Sequence, residues 1–490
     1  MKASATKKPR IPVKRKTRIL TPLHMISAAF ALLIGFALYA AFVPPSVTGS
    51  LTDWVIAYGG FLSVHEVQDH TGVSTLAATQ AVEERRPLAF VPEQIALSYN
   101  QTGSDDLAAE LVRMAKGKQG DAWDATAIAL IAEARNRSSF WQPWIKTLPA
   151  VFPYSQTFTE AQRDGLVGTP GETYFRLHEA MVKKILKKTS AMNYFQETGE
   201  VTLDEAVWAV GAGIHMMVDD VFAPGLTDSL AKHWNPLKCV EVFSETIEYK
   251  GMPGYVLVAP RDIKKHERLY KWAGPIGSAE MLAMYGQAPP ENPHGFTSRI
   301  NPTGDKESKQ KWGAEIASKT DCRPDDFTKV VFKLGPEMVS ERQIRCVSMF
   351  MVDETKLKGA ERLDAMAFFE VWPRVEELAR PEWIKMEDDF YANLVESCSS
   401  QKEALSAASP DSLRALEESD DPLDKRIVAV REQLVDLLTR CEEDFSERRK
   451  QLPQKLIQQA LEEAAAEAAA EALRTAAPAE EVAELGEVTA

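Results

Sequence analysis

The pattern of apolar and polar positions changes character several times along the chain. Met25 to Val43 is apolar almost throughout, and no charge lies between Arg18 and Asp53. A bilayer core of about 30 Å needs about 20 apolar residues, so this run predicts a membrane-spanning helix. A cleaved targeting segment is the rival reading, but the run is long for a signal core and no small-x-small site precedes Pro44-Pro45. From Leu51 to about Ser98 short apolar runs alternate with Gly and polar breaks. Trp54 to Ala57 reads as a helix start, and Leu76 to Ala78 and Leu88 to Val91 read as strands.

From Asp105 to about Thr189 the period becomes helical. Leu107, Leu111 and Met114 recur on one face, as do Ala127, Leu130, Ile131 and Ala134. Between those helices lies an aromatic-proline loop whose Trp141 and Trp144 read as core. Leu203 to Met217 is another helix, with Asp204 and Glu205 in a first turn that suits its dipole. Strands are expected at Val240 to Tyr249 and Tyr255 to Ala259. Thr297 to Lys311 reads as a polar linker with Gly and Pro turn signals. A mostly helical second domain follows. Val428, Val435 and Leu438 line one face of its clearest helix, widened by Ile427, Val430, Leu434 and Leu437. Lys450 to Leu473 is a Glu/Ala/Gln-rich solvated helix that frays into an acidic end.

Composition sharpens the picture at both ends. The 490 residues carry a net charge of -14, which argues against non-specific nucleic-acid binding. Lys2, Lys7, Lys8, Arg10, Lys14, Arg15, Lys16 and Arg18 precede the apolar run with no acid among them. That bias puts the N-terminus in the cytosol and the large domain on the lumenal side, where Asn100-Gln-Thr and Asn136-Arg-Ser would be glycosylation acceptors. The five cysteines (Cys239, Cys322, Cys346, Cys398, Cys441) lie far apart with no Cys-x-x-Cys pair. A structural zinc site or a disulfide framework is therefore not expected, with a single isolated disulfide left open.

The richest chemistry lies between Pro224 and Gly286, where His233, Trp234, Tyr270 and Trp272 sit among repeated Gly and Pro. Such loops fold over ligands more readily than they pack as helices. A sequential set of motifs then resembles the SET-domain proteins of the Rubisco large-subunit methyltransferase type. The segment from Phe140 to Pro149 resembles that family's S-x-W-x-P-Y-x-x-L-P, and Phe158-Thr-Glu with Leu166-Val-Gly-Thr matches the motif after it. Leu88 to Ser98 matches its i-P strand. Gly274 to Gly286 resembles its ending with N-a-E-L-L and Y-G-F. Met386-Glu-Asp-Asp and the run from Asp424 to Leu434 resemble its helical domain. The resemblance covers roughly Leu51 to Phe445.

It implies an α+β fold: a SET-domain β-fold of short strands at 50–293 with a helical insert at about 103–200, then an all-α substrate-binding domain at 312–450. The tail at 1–20, the transmembrane helix at 21–45 and the acidic tail at 451–490 complete the organisation. It implies an S-adenosylmethionine-dependent N-methyltransferase that modifies a lysine, or a histidine, of a non-histone protein, with no metal. The partners are then a protein substrate and, through the N-terminal helix, a membrane. A lysine with a free pKa of about 10.4 must lose its proton before it can accept a methyl. By resemblance Tyr285 and Tyr270 line the lysine channel as catalytic residues, and His233, Trp272, Leu76 and Ala78 hold the cofactor.

The chain also departs from the family. The G-x-G turn falls at Val73-Ser74-Thr75, and the Ser-Arg pair falls on His215-Met216, which removes a cationic cofactor contact. The Asn-His pair falls on Ala231-Lys232, or on Lys232-His233 with one inserted residue. The tyrosine of i-s-Y-G falls on Ala273, and the asparagine of N-a-E-L-L on Ser278. A SET fold that has lost methyl transfer and serves as a membrane-tethered binding module is the alternative.

Overall fold

The computed structural model describes residues 50–476, except 69–73, 117–120, 219, 227–229, 234, 290–291, 300–305, 328, 335–336, 353–356, 358–359 and 371–379. The basic tail, the apolar run from Met25 to Val43, Val73 and Trp234 lie outside the described residues, as does the acidic end past Ala476. Among the described residues no helix is long and apolar enough to cross a membrane.

Among the described residues there are ten strands: β1 (Phe61–Leu62), β2 (Val64–Gln68), β3 (Ser74–Ala78), β4 (Pro87–Pro92), β5 (Ala231–His233), β6 (Cys239–Tyr249), β7 (Met252–Val258), β8 (Tyr270–Trp272), β9 (His294–Arg299) and β10 (Lys329–Lys333). Six form one sheet in the order β1-β4-β7-β6-β8-β5, and β2–β3 and β9–β10 form two-stranded ribbons. β4 is buried along nearly its whole length. Its Leu88, Ala89, Phe90 and Val91 are all fully buried, as an unbroken apolar run requires. β6 and β7 form a hairpin through Lys250 and Gly251, whose φ values of 51° and 80° are those a tight hairpin turn demands. β8 then returns between β6 and β5 and pairs with both in parallel. β3 is tied to the approach of β8: Leu269 N–H donates to Leu76 O (2.8 Å) and Ala78 N–H to Glu267 O (3.0 Å).

The helical insert packs into the same core as the sheet. Helix Asp121–Arg135 is buried from Asp124 to Glu133. Trp144 is fully buried and Trp141 donates from Nε1 to Ile95 O (3.0 Å), in line with the core reading of both. Helix Leu203–Met216 starts with a reciprocal capping box between Thr202 and Glu205. Arg135 grips the same carboxylate with two N–H donors at 2.6 Å. These contacts hold the Glu205 carboxyl down at about 2, chiefly through Arg135. Because the folded value lies below the unfolded one of about 4.3, the stabilisation is present at neutral pH and is lost as pH falls through about 2. Glu205→Gln should therefore cost about 1–2 kcal/mol at pH 7, after allowing for solvent screening, and almost nothing near pH 2. Urea melts at the two pH values check this.

A second core fills the C-terminal half. It reaches back across the sequence to Ala279, Leu282 and Ala283 of helix Ser278–Tyr285, so that short helix is held between the two cores. Three expectations need correction here. Thr297 to Lys311 is not a plain linker: Thr297 lies in β9 and Lys306 begins helix Lys306–Lys319. β9 pairs with β10 through Phe296 and Phe332, whose rings stack at 4.2 Å. On helix Pro422–Gln451 the buried stripe runs through Ile427, Val430, Leu434, Leu437, Leu438, Cys441 and Phe445. Val435 lies off it and is exposed, because it sits one residue, about 100° of helix rotation, beyond Leu434. Finally, four cysteines pair as Cys322–Cys346 and Cys398–Cys441, leaving Cys239 as a buried thiol. Folding closes spacings of 24 and 43 residues that no local motif announces.

Candidate active site

β5 and β8 lie in parallel register, with Ala231 beside Tyr270, Lys232 beside Lys271 and His233 beside Trp272. Side chains alternate across a strand, so Lys232 and Lys271 share one face, while His233, Tyr270 and Trp272 share the other. On the first face both lysines reach the C-terminal end of helix Leu203–Met216. Lys232 Nζ donates to His215 O (2.9 Å) and Lys271 Nζ to Met217 O (3.2 Å). Carbonyls at a helix C-terminus have no partner within the helix and carry its negative end, so amines are suited to meet them.

Tyr285 joins this face from helix Ser278–Tyr285. Gly286 ends that helix at φ 62°, and a Cβ there would come within 2.7 Å of Pro153 Cβ, so the turn demands glycine. The Tyr285 ring meets the His215 ring edge-to-face at 5.6 Å. Lys232 Nζ lies 5.2 Å from the Tyr285 ring centre. His215 Nε2–H donates to Pro153 O (3.1 Å), which leaves Nδ1 as an acceptor.

Burial sets the protonation of the whole cluster. It pushes Tyr285 up to about 12, helped by Tyr174, and pulls His215 down to about 3, helped by the nearby Lys232. Lys232 is 3% exposed. Desolvation, then the Lys271 charge, lowers it well below the usual lysine range. A desolvated lysine amine, the Tyr285 ring and the lysine-bonded carbonyls of a helix end therefore lie together.

This has a consequence for stability. The unfolded chain holds the Lys232 proton up to about 10.4 while the folded chain releases it earlier, so stability rises with pH between those two values. Lys232→Met should remove that dependence and stabilise the fold at pH 7 by about 1–3 kcal/mol. Thermal melts from pH 7 to 10 measure it.

The opposite face holds most of the other candidate residues. His233 Nδ1 accepts from Asn235 N–H (2.9 Å), and its ring meets Tyr270 at 5.1 Å. The Cys239 thiol donates to Asn235 O (3.2 Å) and is pushed up to about 12 by burial. Trp272 is 51% exposed beside them. Leu76 and Ala78 are buried in β3 and bonded to the segment that leads into Tyr270. The structure thus gathers His233, Tyr270 and Trp272 along one face of β5 and β8, with Leu76 and Ala78 close in the fold. Tyr285 stands on the other face, and the strand pair lies between the two tyrosines. Lys232, Lys271 and His215 were not among the residues expected to act. The signal for them was the alternation Lys-His against Tyr-Lys-Trp, which becomes readable once β5 and β8 are known to pair.

No family model matches the chain, and no curated protein matches it. Solved structures do. The SET domain of LSMT bound to lysine and AdoHcy is similar at a TM-score of 0.56 and 16% identity, over 82% of this chain and 92% of that one. Rubisco LSMT bound to AdoMet gives 0.55 at 17% identity over the same shares. The chain has a SET fold. Rubisco LSMT bound to sinefungin and monomethyllysine gives 0.54 at 17%. The expected mixed α+β architecture, with a SET-like part and a helical C-terminal region, agrees with these neighbours, which bear on the fold alone.

Proposed function

We propose that the chain is an S-adenosylmethionine-dependent protein N-methyltransferase of the SET class acting on a lysine of a non-histone protein. One observation carries the reading. Tyr285, a buried and protonated tyrosine, packs against the desolvated Lys232 amine and the His215 ring in a fold whose solved neighbours bind AdoMet, AdoHcy, sinefungin and lysine. The residues present fit the cofactor. Two amines suit a carboxylate, and an aromatic ring suits a sulfonium cation. S-adenosylmethionine supplies an activated methyl group. The chain's own residues would do the rest: the apolar walls strip water from an incoming amine, and the Tyr285 hydroxyl and nearby carbonyls orient it. With its phenol near 12, Tyr285 stays neutral across the physiological range and acts by hydrogen bonding.

Tyr285→Phe should lower turnover about 100-fold, worth about 3 kcal/mol, and leave cofactor affinity within about threefold. The assay uses methyl-labelled S-adenosylmethionine with heat-inactivated cell protein as acceptor, and reads methyllysine after acid hydrolysis. A variant as active as the parent removes Tyr285 from the mechanism.

A second reading, the membrane-tethered binding module, is favoured by one feature: Lys232 already fills space beside Tyr285 and bonds the helix end. Cofactor binding separates the two readings. The proposal also places the large part of the chain in an oxidising lumen, with 21–45 as its anchor. Two disulfides support that, since cytosolic reductants oppose them. Protease protection in intact microsomes tests it, and digestion of the large domain would refute it.

A further inference from the structure

Lys232 has an unusual set of partners. Its side chain crosses from β5 to the end of helix Leu203–Met216 and is 3% exposed. Among the described residues Nζ has one hydrogen bond, to His215 O, and one aromatic neighbour, the Tyr285 ring. An ammonium carries three donors, so the charged form is poorly served here. The titratable groups that face it come from every packed element. They are His215 on the long helix, Tyr285 on the short one and Lys271 on β8, with Cys239 of β6 acting on it electrostatically from the opposite face. None of His215, Tyr285 and Cys239 bears negative charge near neutral pH. Lys271 adds a second amine from the same face of the neighbouring strand, its Nζ bonded to Met217 O (3.2 Å). Such a pair is built to receive an anion.

We infer that Lys232 anchors the carboxylate at the amino-acid end of the cofactor, reaching from β5 to the helix end that carries His215 and Met216. The inference rests on the cofactor reading above and assigns one residue to one group of the ligand. The ligand class is a carboxylate-bearing nucleoside thioether. Its arrival pairs the amine with a negative charge, so Lys232 takes up a proton on binding. Affinity then falls by up to about tenfold per pH unit as pH rises between the free and bound values. His215, Tyr285 and Cys239 keep one protonation state across pH 6–9, so they do not supply that dependence.

The test is titration calorimetry of the full-length chain with S-adenosylhomocysteine and with 5′-methylthioadenosine, which keeps the adenosine and thioether but lacks the amino-acid end. Each ligand is run at pH 8 in two buffers of different ionisation enthalpy. The expected result is proton uptake with S-adenosylhomocysteine and none with methylthioadenosine. Lys232→Met should weaken S-adenosylhomocysteine at least about tenfold, abolish the uptake and leave methylthioadenosine within about twofold. A melting curve on the same sample shows that the variant is folded. Unchanged or tighter S-adenosylhomocysteine binding by Lys232→Met overturns the inference and makes the lysine a plug of the site. Equal proton uptake with both ligands overturns it as well. A parent chain that binds methylthioadenosine but gains nothing from the amino-acid end sinks the inference and leaves the cofactor site standing. A parent chain that binds neither sinks both.

Discussion

Reduction of the two disulfides should melt the C-terminal half at temperatures where the oxidised chain stays folded. Cys398–Cys441 joins helices Pro381–Leu405 and Pro422–Gln451 over 43 residues, and Cys322–Cys346 closes 24. Cross-links of those lengths remove about 4 and about 3 kcal/mol of loop entropy from the unfolded chain. All four sulfurs are buried, so the reduced thiols still pack as small apolar groups and the loss falls mainly on the unfolded state. A combined loss of about 7 kcal/mol is comparable with the whole stability of a typical domain, about 5–15 kcal/mol. Calorimetric scans with and without a phosphine reductant should show the fall, with Cys398→Ala/Cys441→Ala accounting for the larger share. Equal melting temperatures would contradict it.

Arg431→Leu should release the helical half from the insert. Arg431 is 8% exposed on helix Pro422–Gln451, and its guanidinium donates to Gly165 O (2.8 Å), Val167 O (2.9 Å) and Leu405 O. Burial lowers its pKa, offset in part by Asp164, so the carbonyls must serve the cation. The insert offers two of them, Gly165 O and Val167 O, at a turn where Gly168 has φ 72° and a Cβ would come within 2.0 Å of Ala404 O. Gln401 also donates to Gly168 O there. Leucine fills the aliphatic volume and leaves three buried carbonyls without their donor, at a cost of about 4 kcal/mol in all. Limited proteolysis should then cut between the halves. A variant as resistant as the parent would show that apolar packing alone holds them.

Long-period features were legible in the sequence. The apolar run of β4, the buried Trp141 and Trp144, and the capped helix Leu203–Met216 follow from local pattern, because each buries a face defined within a few residues. The motif order led to the fold for a related reason, since the signature residues around Leu88 and Tyr285 are also core residues. The Lys232 cluster was not legible. It depends on two three-residue strands, β5 and β8, pairing in parallel across a gap of 39 positions (270 − 231), and strands that short carry no period. Likewise Phe296 and Phe332 meet only after the intervening helix has folded back, and the cysteine pairs are set by helix packing. His215, with Met216 after it, was read as a Ser-Arg pair that has lost its cationic contact. In the folded chain its carbonyl receives a lysine from another strand.

The proposed function requires the cofactor to bind around Tyr285, His215 and Lys232. Ultraviolet cross-linking of methyl-labelled S-adenosylmethionine to the full-length chain, followed by peptide mapping, tests that most directly. Label is expected in peptides that contain Tyr285 or span 231–239, displaced by excess S-adenosylhomocysteine. Label that resists displacement, or that maps to the helical half, would contradict it.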